Sequence, residues 1–450
     1  MQDAVPGSND PTVTLHVEKI VTGGAGLAHH EGRTVFVPLT APGDEVRVRL
    51  EQVRRSFVTG TVEEVLTPGP DRRPGPCPHF GVGLCGGCDL QHLTDAAQRT
   101  AKREIVADCF RRLGGLDVGD RIEGPDADLP PLHYRNQLRL FASPMGPYGL
   151  RRRGTRDVLP LETCLLVPEI FTRDILPWLR LLPPVEQLVL RFDHQDRWLV
   201  SMYGNPQRMK ILRKLTTEGA ADRPPASGCA GIQFNNRPVW GRDYLVVHCA
   251  GKKYKVSAQS FFQTNLAVAE RAVAQVRTWL DELPGAGRLL ADLYSGVGLF
   301  SLALADRFER LVAADADPGS VQDADNNIRR DPVARDRGQA VVRTAEDALA
   351  DTDLLPRAAL AEGCCVVDPP RAGLGAETCR ALLEARPAAV IYMSCDPATL
   401  ARDCRLLSDG GQVIRHVRVL DMFPQTAHVE TLVLLTPGPA DDRRTEDRSP

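Results

Sequence analysis

Cys395 stands in Ser394-Cys395-Asp396-Pro397, at the end of an apolar run and directly before a stretch that a proline would open as a helix. A thiol in that position is polarised toward thiolate by the helix N-terminus, but cysteine is also a common buried hydrophobe, and these residues alone leave both readings open. A thiolate that adds to an electron-poor ring splits one hard substitution into two easier steps, provided a base then removes a ring proton before the sulfur departs. Glu430, in His428-Val429-Glu430-Thr431 at the start of the last strand, is the candidate base, although a glutamate at a strand start is ordinarily just solvated. Asp368-Pro369-Pro370-Arg371 ends another strand. Its paired prolines make a rigid loop without amide hydrogens, which can hold a planar ring while Asp368 accepts a hydrogen bond from a ring N–H. A bare strand terminator is the alternative for Pro-Pro.

A third motif, Asp292-Leu293-Tyr294-Ser295-Gly296-Val297-Gly298, reads as a glycine loop between a strand and a helix, where α/β folds bind ligands. A dinucleotide fingerprint wants a third glycine where Ser301 stands, which weakens a nicotinamide reading. Asp315 follows at the distance of a carboxylate that accepts from a ribose hydroxyl, with Asp317 a lesser candidate. A separate cluster, Cys77-x7-Cys85-x2-Cys88 with Cys164 further on, offers four thiolates for a tetrahedral zinc or an iron–sulfur cluster, and spacing does not choose between them. The other cysteines, 109, 229, 249, 364, 365, 379 and 404, lack ligand spacing and read as small buried hydrophobes.

These residues need several elements to position them. At 450 residues the chain exceeds one core, so two or three domains are expected. Residues 11 to about 70 carry five or so short strands with turn signals, a small barrel, and a Pro-rich bridge, Thr67 to Pro78, leads to the cysteines. Asp95 to Leu113 has helical periodicity. Beyond it, Arg135, Arg139, Arg151, Arg152, Arg153 and Arg156 crowd around the apolar run Leu138 to Ala142, a surface suited to phosphate or, alternatively, a solvated hairpin. From about 251 strand and helix alternate: Asn265 caps a helix, and apolar runs at 289–294, 311–314, 340–342, 364–367 and 389–393 predict a doubly wound α/β domain. Gln412 to Leu420 and Val429 to Leu435 are joined too closely for a helical crossover and should pair antiparallel. Both strand-end motifs and the glycine loop then face one crevice. The net charge of −3 leaves nucleic-acid contact to local patches, and neither a membrane-length apolar run nor a signal peptide is present, so a cytoplasmic protein is expected.

Taken in order, these motifs resemble the RNA uracil-5-methyltransferases, specifically the iron–sulfur-containing branch that makes 5-methyluridine in 23S ribosomal RNA. The likeness spans nearly the whole chain. It adds Cys77-Pro-His-Phe-Gly81, Tyr134-Arg135-Asn136, Gln259-Ser-Phe-Phe-Gln263-Thr-Asn265 and Phe423-Pro-Gln-Thr426-x-His428-Val-Glu430 to the motifs above, while Asp315 stands where glutamate is usual and the first cysteine spacing is longer than is common. The resemblance implies a TRAM-type oligonucleotide-binding barrel at 11–71, a central iron–sulfur and RNA-binding region at 72–250, a Rossmann-like methyltransferase domain at 251–437, and disordered ends at 1–10 and 438–450. It implies S-adenosylmethionine as co-substrate, RNA as partner and no membrane, with a monomer expected. Gln263, Tyr294, Gly296, Asp315 and Asp368 would contact the cofactor or the flipped base. Cys395 would be the nucleophile, Glu430 the base, and Cys77, Cys85, Cys88 and Cys164 the ligands of a 4Fe-4S cluster. Uracil carbon 5 is too weak a nucleophile to take a methyl group unaided, and thiolate addition at carbon 6 activates it. The same reaction on transfer RNA is the alternative; an amino-group methyltransferase, a lesser one, shares Asp-Pro-Pro but wants an aromatic where Arg371 stands and needs no cysteine. A decayed, non-enzymatic RNA binder would not retain Asp368, Cys395 and Glu430 together.

Overall fold

The computed structural model describes residues 12–438 apart from 144–145, 182–184, 194, 208–226 and 284. The disordered ends expected at 1–10 and beyond 438 lie outside the described residues.

Residues 12–67 form one six-stranded sheet. The stretch from Thr12 to Ile20 pairs with Glu45–Val53 at one end and Ala25–His30 at the other, which closes the sheet into the expected barrel around Leu15, Val17, Ala28, Val35, Val37, Val46, Val48 and Val58. Buried Asp44 ties the Pro-rich bridge to it by accepting from the Arg72 guanidinium and from the amides of Ala41 and Gly69.

A seven-stranded sheet follows, in the spatial order Val158–Pro160, Gly146–Arg151, Gln137–Ser143, Gln187–Phe192, Trp198–Tyr203, Cys229–Phe234 and Arg237–Gly241. Leu138, Leu140, Leu188, Leu190, Trp198 and Phe234 fill one side of it.

The third sheet has eight strands in the order Gly338–Val342, Arg310–Asp315, Leu289–Leu293, Cys364–Val367, Ala389–Ser394, Glu430–Pro437, Gln412–Leu420 and Ile122–Glu123. The first five are parallel; the four from Arg310–Asp315 to Ala389–Ser394 are mostly apolar and buried, as strands covered on both faces must be, while Gly338–Val342 at the edge is partly exposed. Glu430–Pro437 runs antiparallel to both neighbours, as the short connection required. Two parts of the chain upstream of 251 also build this body. The hairpin of Tyr244–Cys249 and Lys252–Ser257 straddles residue 251 and buries Leu245, Val247, Tyr254 and Val256 in the core of that body. The helix Asp95–Cys109 packs Ala101, Ile105 and Val106 against the other face, and Ile122–Glu123 extends the edge. The helix expected to run to Leu113 changes at Phe110 into a wider turn that ends at Gly115, whose φ of +61° reverses the chain.

Candidate active site and thiol site

The glycine loop leaves Leu289–Leu293 with Tyr294, Gly296 and Gly298 at φ values of +60°, +54° and +88°. Nothing lies within 4 Å of where a Cβ on Gly296 would point, so a ligand can approach the backbone there. The Gly296 N–H donates to Asp315 Oδ2 at 2.9 Å and the Asp317 N–H to Asp315 Oδ1 at 2.8 Å. Asp315 thus braces the loop and keeps a second lone pair on each oxygen for a hydroxyl. The Tyr294 hydroxyl is 3.5 Å from Thr378 Oγ1. Ser301, where a fingerprint glycine was missing, donates both its N–H (2.8 Å) and its hydroxyl (2.6 Å) to Asp292 Oδ2. Burial still pushes the Asp292 carboxyl up to about 6.

Asp368 sits beyond Cys364–Val367 and accepts from Gln263 Nε2 at 2.8 Å, so these two predicted residues meet. Burial, and then the neighbouring Asp292, push the Asp368 carboxyl up to about 7 against that hydrogen bond. Glu430 reaches the same edge because its strand runs antiparallel, with Thr431 opposite Ser394. It is 3% exposed, its Oε1 finds no hydrogen-bond partner among the described residues, and burial with Asp368 nearby raises it well above the usual carboxylate range. Cys395 is half-buried. Burial pushes its thiol up to about 11, Glu430 and Asp368 add to the rise, and Arg371 opposes it.

The expectation of a thiol polarised to thiolate therefore does not hold in the free protein. The helix Pro397–Asp409 begins where expected, but its first free amides, Ala398 N and Thr399 N, both donate to the Asp396 side chain at 3.0 Å rather than facing the sulfur. Arg371 lies 3.0 Å from His428 Nδ1, bringing the Asp-Pro-Pro-Arg loop onto the segment that leads to Glu430.

That segment is held from outside the eight-stranded sheet by Lys102 and Gln98, which the sequence did not single out, and by Tyr134, which lies in one of the motifs that carried the resemblance. Fully buried Lys102 donates to Asp421 at 2.5 Å and to the Phe423 carbonyl at 2.9 Å, and Tyr134 Oη donates to the Pro424 carbonyl at 2.9 Å. Gln425, 1% exposed at φ +69°, exchanges hydrogen bonds with Gln98, and its carbonyl accepts the amides of Asp89 and Leu90, each at 3.0 Å. For Lys102 and Gln98 the only signal was the helical periodicity of their segment.

The four predicted thiols line one cavity of about 360 Å³ together with Arg135, Arg139 and Phe261. Burial raises all four thiols, and the charges of Cys77 and Cys164 raise Cys85 and Cys88 further. Among the described residues no three metal-binding side chains converge on a single point. The arginines expected to face phosphate are partly engaged here. Arg153 pairs with Asp89 at 2.8 Å and donates to the Cys88 carbonyl, Arg152 donates to the Gly83 carbonyl at 2.6 Å, and Arg151 lies over the Phe141 ring, while Arg156 stays exposed. No described helix is long and apolar enough to cross a membrane.

The sequence profile of the tRNA (uracil-5-)-methyltransferases matches residues 236–437, and that of the TRAM domain matches residues 11–62. An uncharacterized RNA methyltransferase of Streptomyces coelicolor is 32% identical over 94% of this chain and 92% of its own. A protein of Shewanella denitrificans named 23S rRNA (uracil(1939)-C(5))-methyltransferase RlmD is 29% identical over 94% and 96%. The crystal structure of the Pyrococcus abyssi tRNA (uracil-54, C5)-methyltransferase, solved with S-adenosyl-L-homocysteine, superposes with a TM-score of 0.70 over 94% of this chain and 99% of that one at 23% identity, which establishes the shared fold. The chain belongs to the RNA uracil-5-methyltransferase family, S-adenosylmethionine-dependent enzymes, and carries that family's TRAM domain at its N-terminus.

Proposed function

We propose that this enzyme methylates carbon 5 of a uridine in 23S ribosomal RNA, with Cys395 as nucleophile, Asp368 holding the base and Glu430 taking the proton. The observation that carries the assignment is the meeting of Cys395, Asp368 and Glu430 at one edge of the sheet, beside a glycine loop with open backbone. Relatives named for 23S rRNA along nearly their full length support the choice of RNA.

Gly296, Tyr294 and Asp315 would hold S-adenosylmethionine, which supplies an electrophilic methyl group. Asp368, ionised and steadied by Gln263, accepts the N3–H of the flipped uracil. Cys395 Sγ, once deprotonated, bonds carbon 6, and carbon 5 then takes the methyl group as the sulfonium's carbon–sulfur bond breaks. Glu430 removes the carbon 5 proton, and the returning electron pair expels the Cys395 thiolate. A buried carboxyl raised far above its usual range is a stronger base than a solvated one, which suits that role.

Cys77, Cys85, Cys88 and Cys164 would hold a 4Fe-4S cluster, a reading supported by four thiols surrounding a cavity rather than a point. The enzyme is further proposed to act as a monomer.

The test is RNA with 5-fluorouridine at the target. Fluorine cannot leave as a proton, so the methylated adduct should persist on a denaturing gel. Cys395→Ala should abolish it, and survival of the adduct in that variant would overturn the assignment.

A further inference from the structure

Among the described residues Glu430 makes no hydrogen bond that would aim its Oε1, yet it must meet a particular ring proton. Its backbone is held on one side by the strand it opens, opposite Leu420, and on the other by the loop that precedes it, which is tied to the thiol-bearing segment some 330 residues earlier. Asp89 follows Cys88 directly. Its N–H and that of Leu90 donate to the Gln425 carbonyl, its Oδ2 accepts the Ala427 N–H at 3.1 Å, and its Oδ1 accepts from Arg153 at 2.8 Å. Gln425 answers with its own side chain. Nε2 donates to Asp95 at 3.1 Å, Oε1 accepts from Gln98 at 3.0 Å, and the Gln425 N–H donates to Gln98 Oε1 at 2.9 Å. The barrel closes over the same junction: at Gly24, φ +81°, a Cβ would lie 2.8 Å from that of Ala427 and 2.9 Å from that of Asp89. Only four residues separate Gln425 from Glu430, and both of these are buried.

We infer that Asp89 and Gln425 are positioning residues for proton removal from carbon 5: they clamp the loop that ends in Glu430 onto the segment that carries Cys77, Cys85 and Cys88. The inference rests on the reading of Glu430 as the proton acceptor. It gives the thiol site a task in the reaction without any thiol touching substrate, because whatever orders that segment also orders the base.

Fluorinated RNA separates the two halves of the reaction. Adduct formation on it requires Cys395 and methyl transfer but no proton removal, whereas turnover on ordinary RNA requires both. With full-length protein, Asp89→Ala and, as a second variant that tolerates a positive φ, Gln425→Asn should each lower turnover about tenfold or more while adduct formation on fluorinated RNA stays within about twofold of the parent. On ordinary RNA a methylated covalent species should build up, as it should in Glu430→Gln. Iron and sulfide content measured alongside shows whether the thiol site itself survives. If both variants slow adduct formation as much as turnover, or leave turnover unchanged, Asp89 and Gln425 do not position the base. If Glu430→Gln turns over normally, the assignment of the acceptor is what fails.

Discussion

A thiol pushed up to about 11 is almost wholly protonated at neutral pH, and the groups responsible are those the reaction needs. Burial is the leading cause, Glu430 the next and Asp368 the third, with Arg371 and a backbone hydrogen bond to the sulfur pulling the other way. The two acids proposed to hold the ring and to take its proton thus keep the proposed nucleophile protonated in the free protein. Both carboxylates act on the thiol through their charge, which the sulfur meets on losing its proton. Glu430→Gln removes the stronger of these charges. The inflection of Cys395 alkylation by iodoacetamide, followed by mass spectrometry, should move down from about 11, and alkylation between pH 9 and that value should quicken, since a lower pKa leaves more thiolate at a fixed pH. An unchanged or higher inflection would show that burial alone sets the thiol. The direction is a sharp one, because the variant would be faster with the small reagent while losing turnover on RNA.

Strand ends fix where the chemistry can occur, and here the sequence was most legible. The runs of Leu289, Cys364 and Ala389 form adjacent parallel strands, so the motifs at their carboxyl ends fall into one crevice. The pairing of the last two strands followed from the length of chain between them. What the pattern could not convey was the use of each polar side chain. Ser301 read as a failed glycine, yet its hydroxyl and amide both hold Asp292, tying the first strand to the helix behind the glycine loop. Asp396 read as part of a polarised helix start, yet its own side chain occupies the amides that would have done the polarising. Single residues of that kind act through direction, which spacing along a chain does not encode. Ser301→Ala leaves a fully buried carboxyl with one donor fewer and should cost about 1–3 kcal/mol, read as a lower melting temperature. Affinity for S-adenosylmethionine should fall while affinity for RNA holds, because the loop that moves is Gly296's and not Asp368's. Equal weakening of both ligands would place the effect elsewhere.

Across the whole molecule, contacts far apart in sequence carry the organisation, which is why the sequence showed the barrel, the thiol segment and the catalytic sheet but not their joints. The thiol segment is the common member. Gly86 donates to the Arg151 carbonyl and Arg153 to that of Leu84, adding the segment to the edge of the seven-stranded sheet. Arg73 and Thr94 bind it back to the Pro-rich bridge, and Asp89 reaches the catalytic loop. Such a joint has little apolar core of its own, so the group held by its thiols should dominate its order. A single zinc with sulfurs at about 2.3 Å would draw four thiols to within about 4 Å of one another. Here they ring a cavity of about 360 Å³, and the proposed cluster would instead place its thiolates on separate irons. Anaerobically purified protein should therefore be brown, with about four irons and four sulfides per chain. Oxidative loss of the cluster should lower the melting temperature and open residues 77–92 to proteolysis before the barrel or the catalytic sheet is cut. A colourless preparation rich in zinc would overturn the cluster. A brown one that loses its iron with no change in melting temperature or cleavage would show that the joint holds by its hydrogen bonds alone.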